Sequence, residues 1–380
     1  MAGTDRPTVA AYYFPNYHVD PLNEAAHGKG WTEWQLVRAA QPRFAGQQQP
    51  KVPAWGYEDE ADPAVFARKV DAAADNGIDV MLFDWYYYAE GMFLERCLND
   101  GYLKAPNRGR LKFALMWANH DWYDLHPAKW SGNKLLYSAA VTPESFRTMC
   151  DRVIRDYFPH ENYWRLDGKP YFSIFRPSEL IRTMGGIEAA RDALQWFRNR
   201  GKEAGFGGVH INVMANVDFG LFAQGELGSV GEVLKVLGVD SATHYNWLDL
   251  AGLESFPSNT YESFMRNGTG RWEEMDRTLP CPYLPNVTTG WDTTPRLCGT
   301  DIYAKADFPW VGTVVGNTPA LLEQGLRKAK DFLAGESTSK HKVVTINAFN
   351  EWTEGCYLEP DAETGMARLE AIRNVFGVCK

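Results

Sequence analysis

Short apolar runs recur along this 380-residue chain at intervals long enough to hold a helix, and polar, aromatic-rich segments cut them off. Eight are present, at 8–14 (TVAAYYF), 78–83, 113–117, 171–175, 209–214, 241–245, 283–287 and 343–349. Their β-branched and aromatic content suits strands buried on both faces. Helical patterns lie between them. Asp62-Pro63 supplies a cap and first turn for Val65, Phe66, Lys69, Val70 and Ala73, and Asn76-Gly77 ends that helix. Further helices are predicted at 93–99, 143–157, 187–203, 231–237 and 319–333, with another at 261–279 interrupted by Gly268 and Gly270. Strands alternating with helices pair in parallel through right-handed crossovers, so the pattern predicts an α/β fold, a (β/α)8 TIM barrel with long βα loops. An open doubly wound sheet is the alternative, but no GxGxxG turn follows the first strand. No repeat, low-complexity tract or linker interrupts the chain, and residues 1–380 are read as one domain.

Composition narrows the partners. The net charge is −9, with acidic and basic residues interspersed and no Lys/Arg run to track a phosphate backbone, which argues against nucleic acid. Cys97, Cys150, Cys281, Cys298, Cys356 and Cys379 are scattered without a CxxC pair, so neither a zinc site nor a disulfide framework is signalled. The histidines show no HExxH-type spacing, and neither metal nor cofactor is expected. No stretch is long enough to cross a bilayer, and the opening MAGTDRPT has no basic, apolar leader. That fits a cytoplasmic protein, or a periplasmic or secreted one whose leader has been trimmed.

Barrel enzymes draw their sites from the C-terminal ends of the strands. Those ends carry the acids Asp84, Asp121, Asp218, Asp292, Glu351 and Glu354. Glu351 and Glu354 are the one pair close in sequence, and paired carboxylates serve glycosidic cleavage, one protonated and the other ionised. In a helical turn their side chains would stand roughly 5–6 Å apart, whereas an extended chain separates their α-carbons by up to about 10 Å. Both stereochemical outcomes therefore stay open, as does a purely structural role at a helix N-terminus.

Aromatics at the same ends, Tyr12, Tyr13, Trp85, Tyr86, Trp117, Trp122, Trp247 and Trp291, with Trp352, offer faces for stacking on sugar rings or serve as wall packing. The segment 16–60, too long for a plain loop, carries Trp31, Glu33 and Trp34, which could roof a cleft. Asn119, His120, Asp121, Asn216, His244 and Asn350 complete the candidate contacts to hydroxyl groups.

Several ordered motifs carry a resemblance over most of the chain: AYYFPNYH at 11–18, GWTEW at 30–34, the Gln-Pro segment through Gln49-Pro50, MWANHDW at 116–122, DGKPYF at 167–172 and NAFNEWTEGCYLEP at 347–360. The sequence resembles the WbsX-like group, relatives of glycoside hydrolase family 99. The resemblance implies a (β/α)8 fold and metal-independent, retaining cleavage of α-mannosidic bonds. It further implies that Glu354 is the general acid/base and that Glu351 draws a proton from the sugar's own 2-hydroxyl, giving a 1,2-anhydro intermediate. Such chemistry suits manno-configured sugars, mannose or rhamnose. The group also carries a label of polysaccharide biosynthesis, so glycosyl transfer is the second reading and a non-catalytic glycan-binding barrel the third.

Overall fold

A computed structural model describes residues 6–216 and 228–378. Each of the eight apolar runs contributes a strand: β1 (Thr8–Tyr13), β2 (Val80–Tyr88), β3 (Lys112–Trp117), β4 (Lys169–Ile174), β5 (His210–Met214), β6 (Ser241–Thr243), β7 (Asn286–Thr288) and β8 (Val343–Asn347). They lie side by side in the order β6-β5-β4-β3-β2-β1-β8-β7, every neighbouring pair parallel. A parallel bridge between Ala242 and Tyr283 joins the two edges, with Leu284 N donating to Ala242 O at 2.8 Å. The architecture is the (β/α)8 barrel that the alternation implies.

Helix boundaries follow local chemistry. Asp62 caps the helix Pro63–Asp75 by accepting from Ala64 N at 2.8 Å, and the chain leaves it through Asn76. The helix Ile187–Glu203 buries Ala190, Leu194 and Phe197, the face its periodicity marks.

Three expectations change. Residues 93–99 are not one helix, because β2 runs on past the rim to Tyr88 and its free edge pairs with a short antiparallel strand, Gly91–Phe93; the chain then winds as a π-turn, Cys97–Tyr102. The segment 16–60 contains α1 (Pro21–His27) and α2 (Trp34–Ala39) within its loop. Gly268 does not interrupt its helix, which runs from Tyr261 to Thr269 and breaks at Gly270.

Gly268 is required by packing rather than by backbone conformation. A Cβ there would stand 2.4 Å from the ring of Trp247. That indole is fully buried, and its Nε1 donates to Asn286 O at 2.7 Å beside β7. Gly268→Ala is expected to destabilise the protein by about 1–3 kcal/mol, the usual cost of overpacking a core; chemical denaturation of the two proteins checks it, and an unchanged midpoint would contradict the steric account.

Candidate active site

The polar ends of the strands surround a cleft of about 510 Å³, inside the roughly 300–1,000 Å³ range of small-molecule sites. Asp84 and Tyr86 from β2, Tyr245 after β6, and Glu351 and Glu354 after β8 line it.

The chain after β8 explains how the glutamates meet. Asn350–Glu351 pairs antiparallel with Cys356–Tyr357, and a 3-10 turn, Trp352–Glu354, connects them. Gly355 follows at φ +66°, where an added Cβ would also lie 2.8 Å from Asp292. The turn brings both carboxyls to the cleft, close enough for each to act on the proton affinity of the other.

Their environments differ. Burial raises the proton affinity of Glu354 well above the ordinary carboxylate range, and the charge of Glu351 raises it further. Burial also raises Glu351, but Arg296 and a hydrogen bond from Tyr245 pull the other way. Glu354 is therefore the member of the pair that keeps a proton more readily, and Glu351 the one that ionises more readily. The Tyr245 hydroxyl lies 2.7 Å from Glu351 Oε2 and 2.8 Å from Asp84 Oδ2. One phenolic proton can serve only one of them. The two carboxyls therefore compete for it: burial and the neighbouring Glu351 push Asp84 well upward, and the hydrogen bond from Tyr245 pulls it back, as it does Glu351.

Arg296 is buried at the cleft floor, 3.5 Å from Glu354 Oε1 and 3.4 Å from Glu33 Oε1. Burial opposes its charge, yet Glu33, Glu354 and Glu351 together more than offset that. Glu33 also accepts from Thr353 Oγ1 and from Asn16 Nδ2. His126, 3.2 Å from Arg296 through Nε2, is kept neutral by burial and by that guanidinium.

Of the residues singled out from the sequence, Asp84, Tyr86, His120, Asp121, Trp122, Trp291, Glu351 and Glu354 line the cleft. Burial lowers the His120 imidazole to about 4, so it is neutral at pH 7. The others do not reach the cleft. Trp85 and Trp117 point outward onto Tyr157 and Phe146, because side chains alternate along a strand and their neighbours Asp84, Tyr86, Met116 and Ala118 take the inner face. Tyr13 donates to Glu60 at 2.8 Å, and Asn119 donates to the backbone of Arg176 at 2.8 Å. Asn350 clasps both backbone groups of Phe14, at 2.8 and 2.7 Å. Trp352 stacks on Tyr357 at 3.8 Å, and Trp34 packs on Tyr17 at 4.2 Å. His244 is buried with Nδ1 3.2 Å from the Tyr283 hydroxyl, and Trp31 covers His27. Glu33 lies behind the cleft, holding the turn and Arg296. Asn216 is exposed beyond β5 and is not part of the cleft lining; Asp218 lies outside the described residues. Asp292 is saturated by Gln47, Gln49 and Thr294 N.

Tyr245, Arg296, His126 and Phe14 were missed. Tyr245 was within reach, since it stands two residues beyond the inward-facing Thr243. Arg296 sits in the 3-10 turn Thr294–Leu297, which no motif marks.

The fold is that of TIM-barrel glycoside hydrolases. It superposes on a family 99 endo-α-mannosidase from Bacteroides thetaiotaomicron with a TM-score of 0.57 at 14% identity, covering 99% of this chain and 96% of that one. A protein described as glycoside hydrolase-like gives 0.57 at 16% identity, covering 100% and 96%, and a family 1 β-glucosidase from Thermotoga maritima gives 0.51 at 8%, covering 99% of each chain. The family described as "Glycosyltransferase WbsX" matches residues 9–372, and the chain belongs to it. An "Uncharacterized protein WxcX" from Xanthomonas campestris pv. campestris strain B100 is 29% identical over 385 residues, covering 96% of this chain and 49% of the relative. The chain thus spans about half the length of the curated relatives it matches.

The raised Glu354 has a consequence for stability. Below the unfolded value of about 4.3 both states are protonated. Above it the unfolded chain ionises first, so stability falls as pH rises toward the folded value. Glu354→Gln mimics the protonated carboxyl and is expected to stabilise the protein by on the order of 1 kcal/mol per pH unit across that window. Paired denaturation curves at about pH 4 and about pH 7 read it; a variant no more stable at the higher pH would mean that folded Glu354 is ionised there.

Proposed function

We propose that this chain is a retaining glycoside hydrolase acting on an α-linked, manno-configured poly- or oligosaccharide of mannose or rhamnose type. The observation that carries the reading is the buried Glu351–Glu354 pair in a carbohydrate-sized cleft, where burial raises both carboxyls and Glu354 the further. An inverting pair is held about 6.5–9.5 Å apart to admit a water. These carboxyls stand close enough to shift each other's proton affinity, which favours retention.

In the proposed reaction Glu354 gives its proton to the glycosidic oxygen as that bond breaks. Glu351 takes the proton of the 2-hydroxyl, whose oxygen closes onto the anomeric carbon to give a 1,2-anhydro sugar. Water then opens the ring from the anomeric side, with Glu354 accepting its proton and Glu351 returning one to the 2-oxygen. Tyr245 and Arg296 support the ionised form of Glu351. Phe14, Trp122 and Trp291 give the cleft apolar faces, and Tyr123 and Phe308, each 40% exposed, extend them at the rim. The whole chain is read as a single catalytic domain.

The family's description favours a second reading, transfer to a sugar acceptor. The same pair serves it when an acceptor hydroxyl replaces water. Incubation with defined α-mannans and rhamnose-rich glycans, followed by mass and anomeric analysis of the products, separates the two. Released reducing ends of retained configuration support hydrolysis; elongated products with little loss to water support transfer. Binding without any product would leave a glycan-binding barrel.

Glu351→Gln and Glu354→Gln are each expected to lower kcat/KM by about 10²–10⁴-fold, the usual contribution of a positioned acid or base. Intact turnover in either folded variant would overturn the assignment. Tyr245→Phe removes the hydrogen bond that favours ionised Glu351. Its acidic limb in the pH profile of kcat/KM should move to higher pH, and a limb that stays in place would separate Tyr245 from the ionisation of Glu351.

A further inference from the structure

Behind the cleft wall, three potential ligands from two distant segments converge. His27 ends α1, while Asp124 and His126 follow the short strand Trp122–Tyr123. One donor atom from each lies within 4.8 Å of the other two. Trp31 covers the group, its ring 4.4 Å from that of His27 and 5.7 Å from that of His126.

The polar bookkeeping around them is incomplete. His27 Nε2 and His126 Nδ1 are shut off from solvent and have no partner among the described residues. His27 Nδ1 stands 3.9 Å from Asp124 Oδ1, too far for a hydrogen bond. Lys129 engages the other carboxylate oxygen, Oδ2, at 3.0 Å, so Oδ1 faces the histidines.

We propose that His27, Asp124 and His126 form a binding site for a divalent transition metal of the zinc class, pinning the loop that carries α1 to the wall that carries His126. Two imidazoles and one carboxylate are a ligand set for zinc rather than for calcium or magnesium, which take oxygen. Ligands about 2.1 Å from zinc at the tetrahedral angle stand roughly 3.4 Å apart, so the set closes by a contraction of about 1.4 Å at most. A fourth position is left for water.

The site would communicate with the cleft through His126. With Nε2 accepting from Arg296, the ring carries its proton on Nδ1, the nitrogen left free. Metal on Nδ1 requires the other neutral tautomer, in which the ring's single proton has moved from Nδ1 to Nε2. Glu33 Oε2, now 3.7 Å away, would have to close in to accept that proton and complete a carboxylate–histidine–metal arrangement. Arg296 would then be left to Glu33 and Glu354. The metal takes no part in the bond cleavage proposed above, and the inference does not depend on it.

The test is a titration of the chelator-treated chain with Zn²⁺ by calorimetry, with metal analysis after gel filtration, on the parent and on His27→Gln and Asp124→Asn. One Zn²⁺ per parent chain and affinity at least about ten-fold weaker in both variants are expected. No saturable binding by the parent, or equal affinity in the variants, overturns the site. Should a variant fold poorly, Co²⁺ bound to the parent decides: ligand-field bands of a four-coordinate ion support the site, and the spectrum of hydrated Co²⁺ refutes it.

Discussion

One buried guanidinium holds the centre of this molecule together. Arg296 lies 5% exposed among Glu33, Glu351 and Glu354, and taking such charges out of water costs several kcal/mol per ion unless each finds partners. Here the partners come from three remote parts of the chain: the first βα loop, the turn after β8 and the 3-10 turn Thr294–Leu297. Each charge is tolerable only when the other segments are in place. The same compensation distributes protons, because Arg296 favours ionised carboxylates where burial alone would protonate them all.

A second buried network supports the turn from behind. Lys69 reaches Glu359 at 2.6 Å and the Tyr13 hydroxyl at 2.8 Å, while Glu359 accepts from Trp352 Nε1 at 2.7 Å. Tyr17 receives Trp352 N through its hydroxyl at 3.0 Å, and its own backbone N donates to Glu60 at 2.7 Å. Groups so held cannot reorient freely, and preorganised dipoles and acids need little rearrangement when charge develops. Several residues that the sequence suggests as sugar contacts, Tyr13, Glu33, Asn350 and Trp352 among them, belong to this support. They are polar or aromatic at strand ends because they position the turn.

The barrel was legible because its signal is repeated: eight apolar runs, helical spacing between them, and caps such as Asp62-Pro63. Gly268 was misread because its reason lies in Trp247, 21 positions away and on another element. The site was legible only in part. Reading consecutive residues at a strand end as equally exposed to the cleft ignored the alternation that sends Trp85 and Trp117 outward while Asp84 and Tyr86 face in. Arg296 could not have been found by spacing, since nothing in Thr294–Leu297 indicates that it meets Glu33, more than 250 residues earlier.

Periodicity and local caps, which are properties of neighbouring residues, determined the strands, most helices and the barrel they close into, and the EWTEG stretch put two carboxyls at the end of the last strand. Tertiary structure decided which carboxyl keeps a proton, for that depends on burial and on charges brought from elsewhere: Arg296, Glu33, and Asp84 acting through Tyr245. It also decided that His27 should meet Asp124 and His126. Proton affinity and metal affinity are set by distances across the fold, and the order of residues along the chain does not contain those distances.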